Sequence, residues 1–340
     1  MDTLNLTTLS GQKCDIFIAS ETTDLSRILD KYTRPQQRII AIIDKKVENL
    51  YGNLFPFEKI VIETSEEKKT MQTIEEITGQ LLEMKAERDI FLLGIGGGIT
   101  TDLTGFVASI YKRGVDFAFI PSTLLAMIDA AIGGKNGVNA LKFKNMLGTI
   151  RQPKFVFEAT SLLKSFTKEE LYKSLPELYK VLMIEGTDFE KAADFFSSIE
   201  YERLFQHEKL SYFIHKAVDI KCSIVRSDEF EQGDRRLLNL GHTFAHAIEH
   251  CTSLSHGEAV GIGLVLAARN SGNAACADSI ANALRACGLL TEIPNGISRS
   301  ELMDAIAQDK KITDGVLNMA VINDIGEVMI KPIKLESIEL

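Results

Sequence analysis

DIFLLGIGGGITTDLTGFVASIYK, residues 89–112, reads as a strand, a glycine turn and a helix. Asp89–Leu93 is apolar and runs into Gly94-Ile95-Gly96-Gly97-Gly98, and a helical stretch follows from about Thr101 to Lys112. Glycines let the backbone turn sharply and approach a ligand closely. The helix behind them aims its free amides at an anion. The spacing is GxGGG rather than the GxGxxG of the dinucleotide fingerprint, so the run alone suits a tight structural turn nearly as well as a pyrophosphate cradle. Asp102, just inside the helix, is either a helix-terminus carboxylate or a ligand contact. Asp44 ends an earlier apolar run, as a turn aspartate or as an acceptor for a ribose hydroxyl.

Outward from this stretch the first half alternates β-rich runs with helices. Expected strands are Asp15–Ala19, Arg38–Asp44, Lys59–Glu63, Asp89–Gly94, Phe117–Pro121 and Phe155–Phe157, rich in Ile, Val and Phe. Between the third and fourth, Glu66–Glu87 places Met71, Ile74, Ile77, Leu81 and Met84 at helical spacing. Such alternation implies a largely parallel sheet with helices on its faces. From about Thr160 the pattern changes, and Lys168–Phe196, Glu208–Arg226, Arg236–Cys251, Ala259–Cys287 and Arg299–Lys310 read as helices. Gly315–Ile322 and Glu327–Ile330 suggest a small terminal hairpin. The expectation is an α/β domain over residues 1–160 and a mainly α-helical domain over 161–340.

Composition narrows the class. The 340 residues are 45% hydrophobic and 25% charged, as in a packed globular enzyme. A net charge of −9 argues against a general nucleic-acid binder. The five cysteines form no CxxC and read as reduced thiols. The start lacks a basic region followed by an apolar core, so no secretory signal is expected. No apolar run approaches the ~20 residues of a membrane span. A cytoplasmic protein is the expectation.

The second half holds LNLGHTFAHAIEHCTSLSHGEA, residues 238–259, with four of the six histidines, of which His242, His246 and His256 carry the reading. His242 and His246 are four apart in a helical stretch and leave one face, and His256 returns after a polar break. An HxxxH pair alone reads more readily as helix decoration than as a metal site. The third histidine and Glu177 reverse that reading. Glu177 lies in SLPELYKVLMIEG, residues 174–186, three before Lys180 and among apolar neighbours. A Glu–Lys pair on a helix is most often a surface ion pair, but in an apolar helix it points into a site. One carboxylate and two imidazoles form a tripod that leaves zinc an open position, and His246 remains for proton transfer. Cations form a second theme. PSTLLAMIDAAIGGKNGVN, residues 121–139, carries Asp129, Lys135 and Asn139, and Lys144-Asn145 follows in what reads as a short basic loop. Lys221, Arg235 and Lys310-Lys311 sit in or beside helices, with Asn239 on one face with Arg235 if a helix runs there. Each cation alone suits a solvated surface. Together with a metal they suit a phosphorylated, hydroxyl-rich substrate.

The motifs GGGITTDLTGFVASIYKRG, IPSTLLAMIDAAIGGKNGVN, PELYK, DEFEQGDRRLLNLGHTFAHAIEH, HGEAVGIG and QDKKITDGVL occur in order along nearly the whole chain. In them the chain resembles the 3-dehydroquinate synthase family of sugar phosphate cyclases. The resemblance implies a Rossmann-like N-terminal domain holding NAD and a helical C-terminal domain. It puts zinc or cobalt on Glu177, His242 and His256, and proton transfer and phosphate contact on His246. It implies substrate contacts from Asp129, Lys135, Lys144, Asn145, Lys180, Lys221, Arg235, Asn239 and Lys310. Arg113 matches an arginine lent by a neighbouring subunit, hence a homodimer. Asp44, Glu66, Lys69, Gly97, Gly98, Asp102, Ser122 and Thr123 match cofactor-side positions, with Lys144 reaching the same side. The implied reaction turns 3-deoxy-D-arabino-heptulosonate 7-phosphate into 3-dehydroquinate and phosphate, in the shikimate pathway to aromatic amino acids. Thr101, Asn136, Pro176, Leu178, Ala245 and Asn318 depart from the residues common in the family. The rival readings are another sugar phosphate cyclase, a metal- and NAD-dependent polyol dehydrogenase, and a silent nucleotide-binding homologue.

Overall fold

A computed structural model describes residues 1–141, 143–205, 207–307, 312–313 and 316–340. The chain divides into two compact units, Met1–Thr167 with Leu210–Glu229, and Lys168–Lys209 with Phe230–Leu340. The change from β-rich to helical sequence near residue 160 precedes the first crossing. Chain continuity hides the return of Leu210–Glu229 to the first unit. There the Glu229 carboxylate is buried and accepts from the Ser10 amide at 2.9 Å, the Ser10 hydroxyl at 2.9 Å and Gln12 Nε2 at 3.3 Å.

The strands of the first unit are β1 (Asp2–Thr7), β2 (Lys13–Ala19), β3 (Ile39–Asp44), β4 (Glu58–Ile62), β5 (Phe91–Gly96), β6 (Asp116–Pro121), β7 (Lys135–Ala140), β8 (Phe143–Ile150) and β9 (Phe155–Ala159). Among the described residues, seven of them form one sheet in the order β1-β2-β9-β6-β5-β3-β4. Only β1 pairs antiparallel in it; the other pairings are parallel. Every residue of β5 is buried, as expected of a central parallel strand covered on both faces. Phe17, Phe91, Leu93, Phe155 and Phe157 pack with Ile43 and Ile120 in the core on one side. From β3 the chain goes outward to β4 and then returns to β5 on the other flank of β3. That reversal puts a topological switch point at the carboxyl ends of β3 and β5, where open α/β sheets bind ligands.

Sequence periodicity finds β2–β6 and β9 to within two residues at each end, but not β1 or the β7–β8 hairpin. In that hairpin Gly137 pairs with Gly148, so the residues that allow close pairing also dilute the β signal. Lys144-Asn145 therefore lies in strand β8, not in a loop.

The second unit is mainly helical, and its long helical expectations break at caps. Lys168–Phe196 becomes Lys168–Tyr172, Leu175–Glu185 and Phe189–Ser198, the middle one ending at Gly186 in the left-handed region. Ala259–Cys287 becomes His256–Arg269 and Ala274–Ala286. Arg236–Cys251 becomes a 3-10 turn, Asp234–Asn239, and the helix His242–Cys251, started by Gly241 at φ 78°. The short β10 (Ile312–Thr313), β11 (Val316–Asp324) and β12 (Glu327–Lys334) form an antiparallel sheet. No helix among the described residues is long and apolar enough to cross a membrane.

Candidate functional site

In the first unit the glycine run ends β5 and begins the helix Gly98–Ile110, with Gly97 as an N-cap lacking any side-chain cap. The first amides of that helix have no intrahelical acceptor and face outward along its axis. There is no room for bulk around them: an added Cβ on Gly97 would lie 3.0 Å from Thr123 Cγ2, and one on Gly98 3.0 Å from Ala130 Cβ. Asp44 ends the neighbouring strand. Its Oδ1 caps the next helix, accepting from Lys46 N at 2.8 Å and Val47 N at 3.3 Å, and Oδ2 accepts from the Thr64 hydroxyl. Asp44 thus caps the next helix at a strand end beside the glycines. The buried Ser122 gives its amide to the Gly96 carbonyl at 2.9 Å, and Thr123 Oγ1 accepts from Ala126 N at 3.0 Å.

Glu66, Lys69, Asp102, Asn139 and Asn145 form one polar knot beside this turn. Lys69 is buried, donates to Asn145 Oδ1 at 2.6 Å and pairs with Asp102. Asn139 Nδ2 donates to Glu66 Oε1 at 2.7 Å, and its Oδ1 accepts from Asn145 N at 2.9 Å. Burial pushes the Asp102 carboxyl up to about 6, against the pull of Lys69. Asp102 is a half-buried ion-pair partner of Lys69. Asn136, one of the departures from the family pattern, donates to the Gly134 carbonyl at 2.8 Å and the Arg151 carbonyl at 3.1 Å. Its side chain fills the space over Gly105, where any Cβ would collide with it.

Asp129 lies on a π-helical turn, Ala126–Ala130, a form that recurs at functional sites. Lys221 is buried; its ammonium donates to the Asp129 carbonyl at 2.6 Å and pairs with the carboxylate. Lys135, Lys144 and Asn145 are exposed along the hairpin. Arg113 is exposed at φ 67°, in a turn closed by Gly114.

The second unit brings Glu177, His242 and His256 together, with one donor atom from each within 4.8 Å of the others. Glu177 and Lys180 sit on the almost wholly buried helix Leu175–Glu185, each side chain 1% exposed. Lys180 Nζ lies 2.6 Å from Glu177 Oε2. The other oxygen, Oε1, is 3.3 Å from His242 Nε2 and 3.1 Å from His256 Nε2. Tetrahedral zinc with bonds of ~2.0–2.1 Å has donor–donor edges of about 3.3 Å, which the two Glu177–histidine distances match, so the donor set suits a divalent ion. Burial opposes the Glu177 charge, and Lys180 and His242 outweigh it, holding the carboxyl well below its usual range. Burial also disfavours the His256 imidazolium, but bonds to Glu177 and Glu249 lift it to about 10. A metal must therefore displace a proton from this ring.

Packing sets the position of His256. It is the first residue of its helix, capped by a Ser255–Glu258 capping box. Next to it, a Cβ on Gly257 would stand 1.6 Å from the Lys173 carbonyl oxygen. Gly257→Ala should cost about 1–3 kcal/mol, as overpacking does, and lower zinc content by shifting His256. Gly79→Ala, in a helix with open space around it, should instead gain roughly 0.5–1 kcal/mol. Thermal melting of the two variants checks the pair; equal effects would refute the close-contact argument.

His246 lies beside His242, ring centroids 5.6 Å apart, but is exposed and outside the converging trio. Arg235 is buried in the 3-10 turn. With about three residues per turn there, it and Asn239 do not share the face that an α-helix would give them. Asn239 donates to Glu231 Oε1 at 2.7 Å, a carboxylate the sequence reading did not single out. Its signal is a charged residue at φ 59°, which only coordinates reveal. Lys310 and its neighbour Lys311 lie outside the described residues.

A family model described as 3-dehydroquinate synthase N-terminal matches residues 59–173, and one described as 3-dehydroquinate synthase C-terminal matches 174–312. The 3-dehydroquinate synthase of Brucella suis is 37% identical over 288 residues, 80% of this chain and 75% of the relative. Among solved structures, 2-epi-5-epi-valiolone synthase from Streptomyces hygroscopicus subsp. jinggangensis, with NAD+ and Zn2+ bound, is similar at TM-score 0.84 and 26% identity, covering 96% of this chain and 94% of that one. A 2-deoxy-scyllo-inosose synthase complexed with carbaglucose-6-phosphate, NAD+ and Co2+ gives TM-score 0.83 at 22% identity, over 99% and 98% of the two chains. A probable glycerol dehydrogenase from Sinorhizobium meliloti shares the fold more distantly, at TM-score 0.61 and 15% identity over 87% and 89%.

Proposed function

Because the chain belongs to the 3-dehydroquinate synthase family, we infer that it is a phosphate-eliminating carbon–oxygen lyase, converting 3-deoxy-D-arabino-heptulosonate 7-phosphate to 3-dehydroquinate. The observation that carries this is the convergence of Glu177, His242 and His256 within a chain matched by both halves of the family model. One C–O bond to phosphate breaks, the sugar's hemiketal ring opens, one C–C bond closes the carbocycle, and dehydroquinate and phosphate together stand at the oxidation level of the substrate. When bound, NAD would accept and return one hydride, and zinc or cobalt would polarise neighbouring substrate hydroxyls. Glu177, His242 and His256 would hold the metal. The glycine turn at Gly97-Gly98, with Asp44, Glu66, Lys69, Asp102, Ser122, Thr123 and Lys144, would hold the dinucleotide.

The chain's own groups divide the remaining work. Lys135, Lys221 and Arg235, with Lys310, would neutralise a substrate bearing both phosphate and carboxylate; arginine can do so bidentately. Asp129, Lys180, Asn145 and Asn239 would fix its hydroxyls. His246 is exposed and adjacent to His242, which supports its imidazole as the group that would move a proton near the leaving phosphate. Arg113 would serve a second copy of the chain, making the enzyme a homodimer, and the biosynthetic role suits the cytoplasm and the shikimate pathway.

The test supplies purified protein with the heptulosonate phosphate, zinc and sub-stoichiometric NAD+. Many phosphates should be released per NAD without NADH accumulating. Steady formation of one NADH per substrate would point instead to the dehydrogenase reading.

A further inference from the structure

A histidine that ligates through one ring nitrogen is oriented by what its other nitrogen meets. His242 Nδ1 lies 3.2 Å from the Leu240 carbonyl oxygen, which turns Nε2 toward Glu177. His256 has a different partner. Its Nδ1 is 3.4 Å from Glu249 Oε2, while Nε2 faces Glu177 Oε1 at 3.1 Å. Glu249 is mostly buried, its side chain 13% exposed. It stands seven residues after His242 on the helix His242–Cys251. With His246 between them, the three residues form one stripe at i, i+4 and i+7. A single helix face thus carries one candidate ligand, the candidate proton carrier and the carboxylate that meets the other ligand histidine.

We propose that Glu249 is a positioning residue for the metal: it accepts the Nδ1 proton of His256, fixes the flip and tautomer of that ring, and presents Nε2 to the ion. It does a second thing electrostatically. The Glu177 charge is already matched by Lys180 at 2.6 Å, so Glu177 alone offers little net negative charge to an incoming divalent cation. Glu249 adds the negative charge that offsets part of the incoming two positive ones. A neutral acceptor would orient the ring without this contribution.

The inference rests on the reading that Glu177, His242 and His256 hold a divalent metal, and the experiment separates the two. Full-length wild type, Glu249→Leu, Glu249→Gln and His256→Ala are stripped with a chelator and checked by circular dichroism. Zinc affinity is then read by competition with a chromophoric chelator, and Co2+ absorption reports the ligand field. Glu249→Leu fills the space without an acceptor and should weaken zinc by about 10–100-fold, with an altered Co2+ spectrum. Glu249→Gln keeps an acceptor, and should restore most of the spectrum while binding several-fold more weakly than wild type. Should the leucine variant not fold, that several-fold weakening in the glutamine variant decides. Wild-type affinity in both Glu249 variants, alongside loss of zinc in His256→Ala, would overturn the proposal and leave the metal site standing. A wild type with no stoichiometric zinc site would bring down the metal reading itself, and the proposal with it.

Discussion

Zinc content should fall to background in Glu177→Ala, His242→Ala and His256→Ala, and turnover should fall with it. The reason is the economy of the site: three protein donors face one point, and among the described residues no fourth donor joins their group. Zinc bound to a protein tripod or tetrad is worth on the order of 10 kcal/mol, and losing one ligand removes several kcal/mol, or more than about a hundredfold in affinity. The three variants should differ in stability, however. Glu177 and Lys180 are each 1% exposed and paired at 2.6 Å. Glu177→Ala leaves the lysine charge buried without that partner, which typically costs about 3–5 kcal/mol. His256 is 34% exposed and pairs with Glu177 and Glu249, so His256→Ala should lower the melting of the metal-free protein, but by less than Glu177→Ala. Adding Lys180→Met to Glu177→Ala should recover much of the lost stability but no zinc. Melting curves of the apo proteins and metal analysis of the loaded ones measure both effects. Full zinc occupancy in all three alanine variants would sink the metal assignment.

The parallel sheet was legible because its central strands are buried on both faces and therefore read as unbroken apolar runs, as β3 and β5 do. The metal trio was legible because histidine is scarce here and Glu177 stands in an apolar helix, whereas the four-residue spacing points to His246, which lies outside the trio. Three things were not legible, each for a physical reason. Glycine pairing in the β7–β8 hairpin carries no side-chain periodicity, so Lys144 and Asn145 were expected in a loop and lie in a strand. The break at Leu240-Gly241 depends on one left-handed residue, and a helical pattern continues across it, so whether Arg235 and Asn239 share an α-helical face could not be read from their spacing. The roles of Asp44 and Asp102 turn on partners distant in sequence. Thr64 and Lys69 bind them, and no local spacing announces a partner twenty or more residues away. Glu249 is the intermediate case. Its seven-residue spacing from His242 was readable, but only the fold shows that it meets His256.

Lys221→Met should lower kcat/KM for the heptulosonate phosphate by about 10–100-fold, the usual cost of losing a charge-assisted contact, and should narrow the preference for an acid substrate. A cyclase acting on sugar phosphates without a carboxylate needs cations for the phosphate only, and this chain keeps Lys221 and Arg235 as well as Lys135. Both Lys221 and Arg235 are buried, which is costly for a cation whose purpose is solvation. The competing explanation is that Lys221 only staples the π-helical turn, since its ammonium already binds the carbonyl and carboxylate of Asp129. The two accounts differ in what the substrate feels. A staple acts on every sugar alike, so Lys221→Met would reduce kcat/KM for the heptulosonate, sedoheptulose 7-phosphate and glucose 6-phosphate by one common factor. A carboxylate contact acts on the acid alone, so the ratio between acid and neutral sugars should shrink in Lys221→Met and in Arg235→Met, while Asp129→Asn lowers all three rates together. Measured kcat/KM for three sugars in four proteins separates these cases. A common factor would reduce Lys221 to a structural residue. Equal or faster cyclisation of a neutral sugar by the wild type would overturn the heptulosonate assignment while leaving the fold and the metal trio intact.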